Sequence, residues 1–135
     1  MYLYLPRQNI HQDINKLYEA VKSANLQETQ RLVLSLNWRS FKEDYSREEE
    51  DPLIHLAINT QSTPIMDNIL TLHLDHHEYN KSGQCPLISL VLTRNYSFFL
   101  KYMNLCRCGC PDMFKSTALT YAVQLNETKM AEVIQ

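Results

Sequence analysis

The residues best suited to metal chemistry are His73, His76, His77, Cys85, Cys106, Cys108 and Cys110. Thiolate and imidazole are the usual zinc ligands, four of them arranged tetrahedrally around one ion. The spacing fits poorly. Cys106-Arg107-Cys108-Gly109-Cys110 is a C-x-C-x-C string, without the two-residue gap that lets paired thiolates grip one ion. His76 and His77 are adjacent and cannot easily point the same way. The preferred reading is a cysteine-rich connector and a loop of exposed imidazoles, with no metal and no cofactor; a small zinc-binding protein is the alternative. A nucleophilic pair, Cys85 with His55 or with His77, is the other chemistry to weigh. It needs direct contact, a third orienting group and a set of oxyanion donors. Nothing in the spacing supplies these, so the chain reads as non-catalytic, with Cys85 acting as a small apolar residue.

Totals narrow the classes further. The chain has 135 residues, enough for one domain, with 44% hydrophobic and 21% charged residues, an ordinary folded composition. Only 2 glycines argue against glycine-rich phosphate loops. A formal charge of −2 provides no basic field for nucleic acid or anionic lipid. No apolar run approaches the roughly 18 residues of a membrane span. Residues Met1 to Pro6 lack the basic start and apolar core of a secretory signal. With no export signal, the four cysteines read as reduced thiols in a cytoplasmic setting, the host cytoplasm if the source is a pathogen.

The elements that position these residues are short helices. The first twelve residues read as an irregular lead-in, with Asp13 capping a helix over 14–23 whose Ile14, Leu17, Tyr18 and Val21 share a face. Helices are expected at 26–36, 53–59, from Pro64 to about Leu72, 86–93, 97–105, 118–125 and from Glu127 onward. Pro64 suits a first turn, where a missing N–H costs nothing. Phe98, Phe99 and Tyr102 read as core, Tyr96 as surface. The segment 42–51 holds six acidic and two basic residues; it reads as a solvated connector, or as an acidic tip steering a basic partner.

A blurred period organises the helices. Cys85-Pro86-Leu87-Ile88-Ser89-Leu90-Val91 returns as Thr117-Ala118-Leu119-Thr120-Tyr121-Ala122-Val123, and Leu53-Ile54-His55-Leu56-Ala57-Ile58 reads the same way. Ile54, Leu87 and Leu119 mark a period of about 33 residues, the spacing of a stacked helical repeat. Helices of two or three turns are marginal alone, so each pair must shelter its neighbour's apolar face. Leu87, Leu90 and Val91 are expected to pack on Leu119, Ala122 and Val123.

These residues resemble the ankyrin repeat. Cys85-Pro86-Leu87 and Thr117-Ala118-Leu119-Thr120-Tyr121-Ala122 look like its Thr-Pro-Leu-His-x-Ala opening, and Ile54-His55-Leu56-Ala57 carries the Leu-His-x-Ala part. Ala24-Asn25 and Asn126-Glu127 fall at the family's inter-helix turn. Leu74 to Gly83 matches its finger, with Gly83 at the customary glycine. Cys85 and Ile88 depart from the Thr and His of the pattern. The resemblance implies an all-α, ankyrin-type helical repeat solenoid of about four units, the last incomplete: a cap-like unit over 13–46, then 51–81, 82–113 and 114–135. It also implies a hydrogen bond from His55 that steadies a turn. An end at Gln135 inside a helix suggests the N-terminal piece of a longer protein.

The function this implies is protein binding on the concave surface of fingers and inner helices. The expected contact residues are Glu50, Asp51, Tyr79, Lys81, Gln84, Phe114 and Lys115 on the fingers. On inner helices and turns they are Ser89, Arg94, Asn95, Tyr121, Gln124 and Glu127. The partner is a protein, not nucleic acid or membrane, and the chain is expected to be monomeric. A targeting or regulatory region of a multidomain protein, such as a pathogen effector, is the alternative.

Overall fold

The computed structural model describes residues 5–36, 50–72, 77–105 and 110–135, leaving aside the side chains of 5–12 and 105. Among them are eight helices and no strand: α1 (Leu5–Lys22), α2 (Leu26–Leu36), α3 (Leu53–Asn59), α4 (Thr63–Leu70), α5 (Pro86–Thr93), α6 (Tyr96–Leu105), α7 (Ala118–Gln124) and α8 (Thr128–Ile134). None is long and apolar enough to cross a membrane. The helices after α1 follow the expected bounds closely, but α1 begins at Leu5 rather than Ile14. Its extra turns are polar and offer no apolar period; the available signal was Pro6 in the first turn.

The helices pack in consecutive pairs, α1 with α2, α3 with α4, α5 with α6 and α7 with α8. The odd helices also pack in order, α1 on α3, α3 on α5, α5 on α7, and the even helices do likewise. Two parallel rows result, with one continuous core between them. Leu17, Ile58, Val91 and Ala122 from the odd row and Leu32, Ile69, Phe98 and Met130 from the even row are all fully buried. Burial of this kind stabilises by about 1.5–3 kcal/mol for each large aliphatic or aromatic side chain, which is what such short helices need to persist.

One backbone device joins the helices of every pair. Ala24, Gln61, Arg94 and Asn126 have φ of 57°, 61°, 59° and 61°. The last three recur with the period of the motif. After three of these residues the next amide reaches back to the helix: Asn25 to the Ala20 carbonyl (2.8 Å), Asn95 to Leu90 (3.3 Å) and Glu127 to Ala122 (2.8 Å). This is the Schellman closure, which satisfies carbonyls left open at a helix end. In the first three pairs the following helix is then capped by a side chain: Asn25 Oδ1 accepts from the Glu28 amide (3.1 Å), Ser62 Oγ from Ile65 (3.4 Å) and Asn95 Oδ1 from Phe98 (3.2 Å).

The core differs from expectation at its end. Leu87 and Val91 are buried, but Leu119 is half-buried and Val123 is 60% exposed. Among the described residues no further helix packs on that side of α7, so only Ala118 and Ala122 bury there. Tyr96 is half-buried, its ring stacked on Phe99 at 6.3 Å between centroids.

Candidate protein-interaction surface

Two loops between pairs fold alike. In residues 77–84 the Asn80 amide donates to the Gln84 carbonyl (2.9 Å) and the Gly83 amide to the Asn80 carbonyl (2.9 Å). Asn80 Oδ1 accepts from the amides of Ser82 (3.0 Å) and Gln84 (2.9 Å). The pattern recurs one period later. There the Asp112 amide donates to Ser116 (2.8 Å) and the Lys115 amide to Asp112 (3.0 Å). Asp112 Oδ1 accepts from Phe114 (2.9 Å) and Ser116 (3.0 Å). Asn and Asp build such turns because a short side-chain acceptor mimics the backbone.

Asp112 is buried, and its second oxygen accepts from the Tyr121 hydroxyl on α7. That hydrogen bond, helped by the Ser116 and Phe114 amides, holds the Asp112 carboxyl below its ordinary range and pushes the Tyr121 phenol up. The tip Met113-Phe114-Lys115 is therefore fixed from beneath by an ionised, fully bonded carboxylate.

The fingers are tied to each other. The Tyr79 hydroxyl donates to the Pro111 carbonyl (3.2 Å). A Cβ on Gly83, whose φ is +76°, would lie 3.2 Å from the Met113 methyl, so Met113 lies across the preceding finger. Cys85 Sγ reaches the Cys110 carbonyl at 3.8 Å. Upstream, Asp51 Oδ1 accepts from the Lys81 amide (2.8 Å). The outcome is a continuous ledge with exposed side chains of Tyr79 (43%), Met113 (66%) and Phe114 (76%).

The expected contact residues divide by environment. Tyr79, Lys81, Phe114, Lys115, Arg94 and Gln124 are exposed. Glu50 is half-buried and paired with Lys22 (3.1 Å). Asp51 and Gln84 are half-buried within the finger network, Gln84 Oε1 accepting from Asn80 Nδ2 (3.2 Å). Asn95 is spent on capping α6, and Tyr121 is half-buried on Asp112. Arg94 and Glu127 pair at 3.4 Å, clipping the end of α5 to the start of α8. Ser89 is corrected: it is buried, its hydroxyl 2.9 Å from His55 Nδ1, and offers no surface. Met113 was missed. Two consecutive large apolar residues at a turn tip were its signal, since turns are usually polar.

His55 is buried on α3 and reaches two other segments, with Nδ1 on Ser89 and Nε2 2.7 Å from the Glu78 carbonyl. Burial holds its pKa below the ordinary value of 6.5. Both ring nitrogens are thus engaged away from Cys85, which is buried at the N-cap position of α5. Cys110 is disulfide-bonded, so the expectation of reduced thiols throughout fails there. No group of three or more potential metal ligands lies among the described residues; His73, His76, Cys106 and Cys108 fall outside them, as do residues 42–49 of the acidic connector. No protein-family model and no curated protein matches the chain.

Proposed function

We propose that the chain is an ankyrin-type stack of about four helix pairs that binds a partner protein through its finger ledge and carries out no catalysis itself. The recurrence of the inter-helix turn at Gln61, Arg94 and Asn126 and of the finger fold at Asn80 and Asp112 supports the ankyrin reading, together with the motif fragments around His55, Pro86 and Thr117. The observation that carries the function is the ledge: large apolar side chains held out at fixed positions by hydrogen bonds within and between the turns. Exposed aromatics on a rigid base anchor protein interfaces at little entropic cost. An interface of ordinary size needs about 800 Å² per partner, within reach of four units.

The test is a pull-down from the cells that make the protein, with Tyr79→Ala and Phe114→Ala as paired controls and circular dichroism to confirm the fold. Loss of the same captured protein in both variants supports the reading. Capture unaffected by substitutions along both fingers rejects it. Work in a cytoplasmic setting would require reducing conditions in the assay, under which the Cys110 disulfide opens.

A further inference from the structure

We infer that Met113 is a site of reversible oxidation, whose sulfoxide makes the apolar finger ledge polar and releases a protein bound there. The oxidation stands on exposure alone; its effect rests on reading the ledge as a protein-binding surface. Of the five methionines, Met66 on α4, Met103 on α6 and Met130 on α8 are buried in the core. Met1 lies outside the described residues. Met113 is 66% exposed at the tip of the third finger. The other described sulfur atoms compete poorly. Cys85 is fully buried, and Cys110 is already in a disulfide. A thiol must also lose its proton before it reacts, whereas a thioether has none to lose.

The chemistry is oxygen transfer from hydrogen peroxide. A lone pair of the Met113 sulfur attacks one peroxide oxygen, the O–O bond breaks and the S–O bond of a sulfoxide forms. The departing hydroxide takes the proton of the transferred oxygen and leaves as water. Sulfur is oxidised by two electrons and the peroxide is reduced. The product is a polar, chiral side chain that methionine sulfoxide reductases return to the thioether. Its place in the fold gives the change an effect. A Cβ on Gly83 would lie 3.2 Å from the Met113 methyl and 3.8 Å from the Met113 Cβ, so the side chain lies where the two fingers meet. Phe114 is the next residue, and the Tyr79 hydroxyl holds the Pro111 carbonyl two residues before. A partner's apolar group docking there would have to desolvate the new oxygen, which is unfavourable without a replacement hydrogen bond. The core methionines, whose oxidation would disrupt packing, are shielded, so the fold survives a dose that converts the tip.

The experiment treats the full chain with hydrogen peroxide, destroys the excess with catalase and follows each methionine by peptide mass spectrometry. Met113 should react at least about tenfold faster than Met66, Met103 and Met130, with circular dichroism unchanged. In the pull-down, the oxidised chain should capture about tenfold less of the protein that the untreated chain captures. The two methionine sulfoxide reductases together, one for each epimer, should restore capture. Met113→Leu, compared with its own untreated level, should lose no capture to peroxide. A core methionine reacting as fast as Met113 overturns the inference. So does a loss of capture that Met113→Leu shares, or one that the reductases leave in place. Capture that survives complete Met113 oxidation but not Phe114→Ala overturns the inference and leaves the protein-binding ledge standing. Capture insensitive to both overturns both.

Discussion

Thr29 lies fully buried on α2, and its hydroxyl has no hydrogen-bond partner among the described residues. An unsatisfied buried hydroxyl costs about 1–3 kcal/mol. Thr29→Val keeps the shape and removes the orphan, so it should stabilise the chain by about 1 kcal/mol, seen as a higher urea midpoint at unchanged slope. A lower midpoint would mean the hydroxyl has a partner after all. The two finger turns give a reciprocal pair. Gly83→Ala puts a Cβ at φ +76° and 3.2 Å from the Met113 methyl, and should destabilise by about 1 kcal/mol. Lys115→Gly removes strain and should stabilise by a few tenths to about 1 kcal/mol. Equal and opposite changes in stability at the two sites would fit one turn geometry used twice.

At the scale of elements, α3 is fastened by His55 to the Ser89 hydroxyl on α5 and to the Glu78 carbonyl in the finger between. Ser89→Ala leaves Nδ1 short of a partner and should cost about 1–2 kcal/mol. Burial lowers the His55 pKa, with the Glu78 carbonyl and the Asp51 charge opposing, so the folded chain takes up this proton less readily than the unfolded one. The stabilisation is then complete above about pH 6.5, the unfolded value, and is lost as pH falls through the lower folded pKa. Urea titrations at pH 7.5 and 5.5 should show wild type losing more stability than His55→Gln; identical losses would contradict the assignment. Much of this layer was legible in the sequence. Breaks at Asn25, Pro64 and Asn126, and the even spacing of Ile54, Leu87 and Leu119, located the helices because capping and period are local properties. The site was less so. Ser89 looks like a surface serine until α3 brings His55 over it, and Val123 looks like Val91 until its missing neighbour is seen. Both depend on which helix lies alongside, which a period alone does not specify.

Across the whole molecule, Ile58, Val91 and Val123 hold the same place in successive odd-row helices, buried, buried and exposed. If each pair is stabilised by the next, Ile58→Ala should destabilise by about 2–4 kcal/mol and Val123→Ala by under about 0.5 kcal/mol. Both should act on a single unfolding transition, because α1, α3, α5 and α7 pack in unbroken order. Separate transitions for the first and last pairs would weaken the picture of one continuous core. The stack leaves its functional statement to the ledge, and that can be asked of the protein where it is made. A photo-crosslinking benzoylphenylalanine is placed at position 114, at position 79 and, as control, at position 34, where Leu34 is 73% exposed on the even row. The account predicts the same discrete protein adduct from 79 and 114 and none from 34. Adducts from 34 alone, or no adduct from either finger, would contradict it.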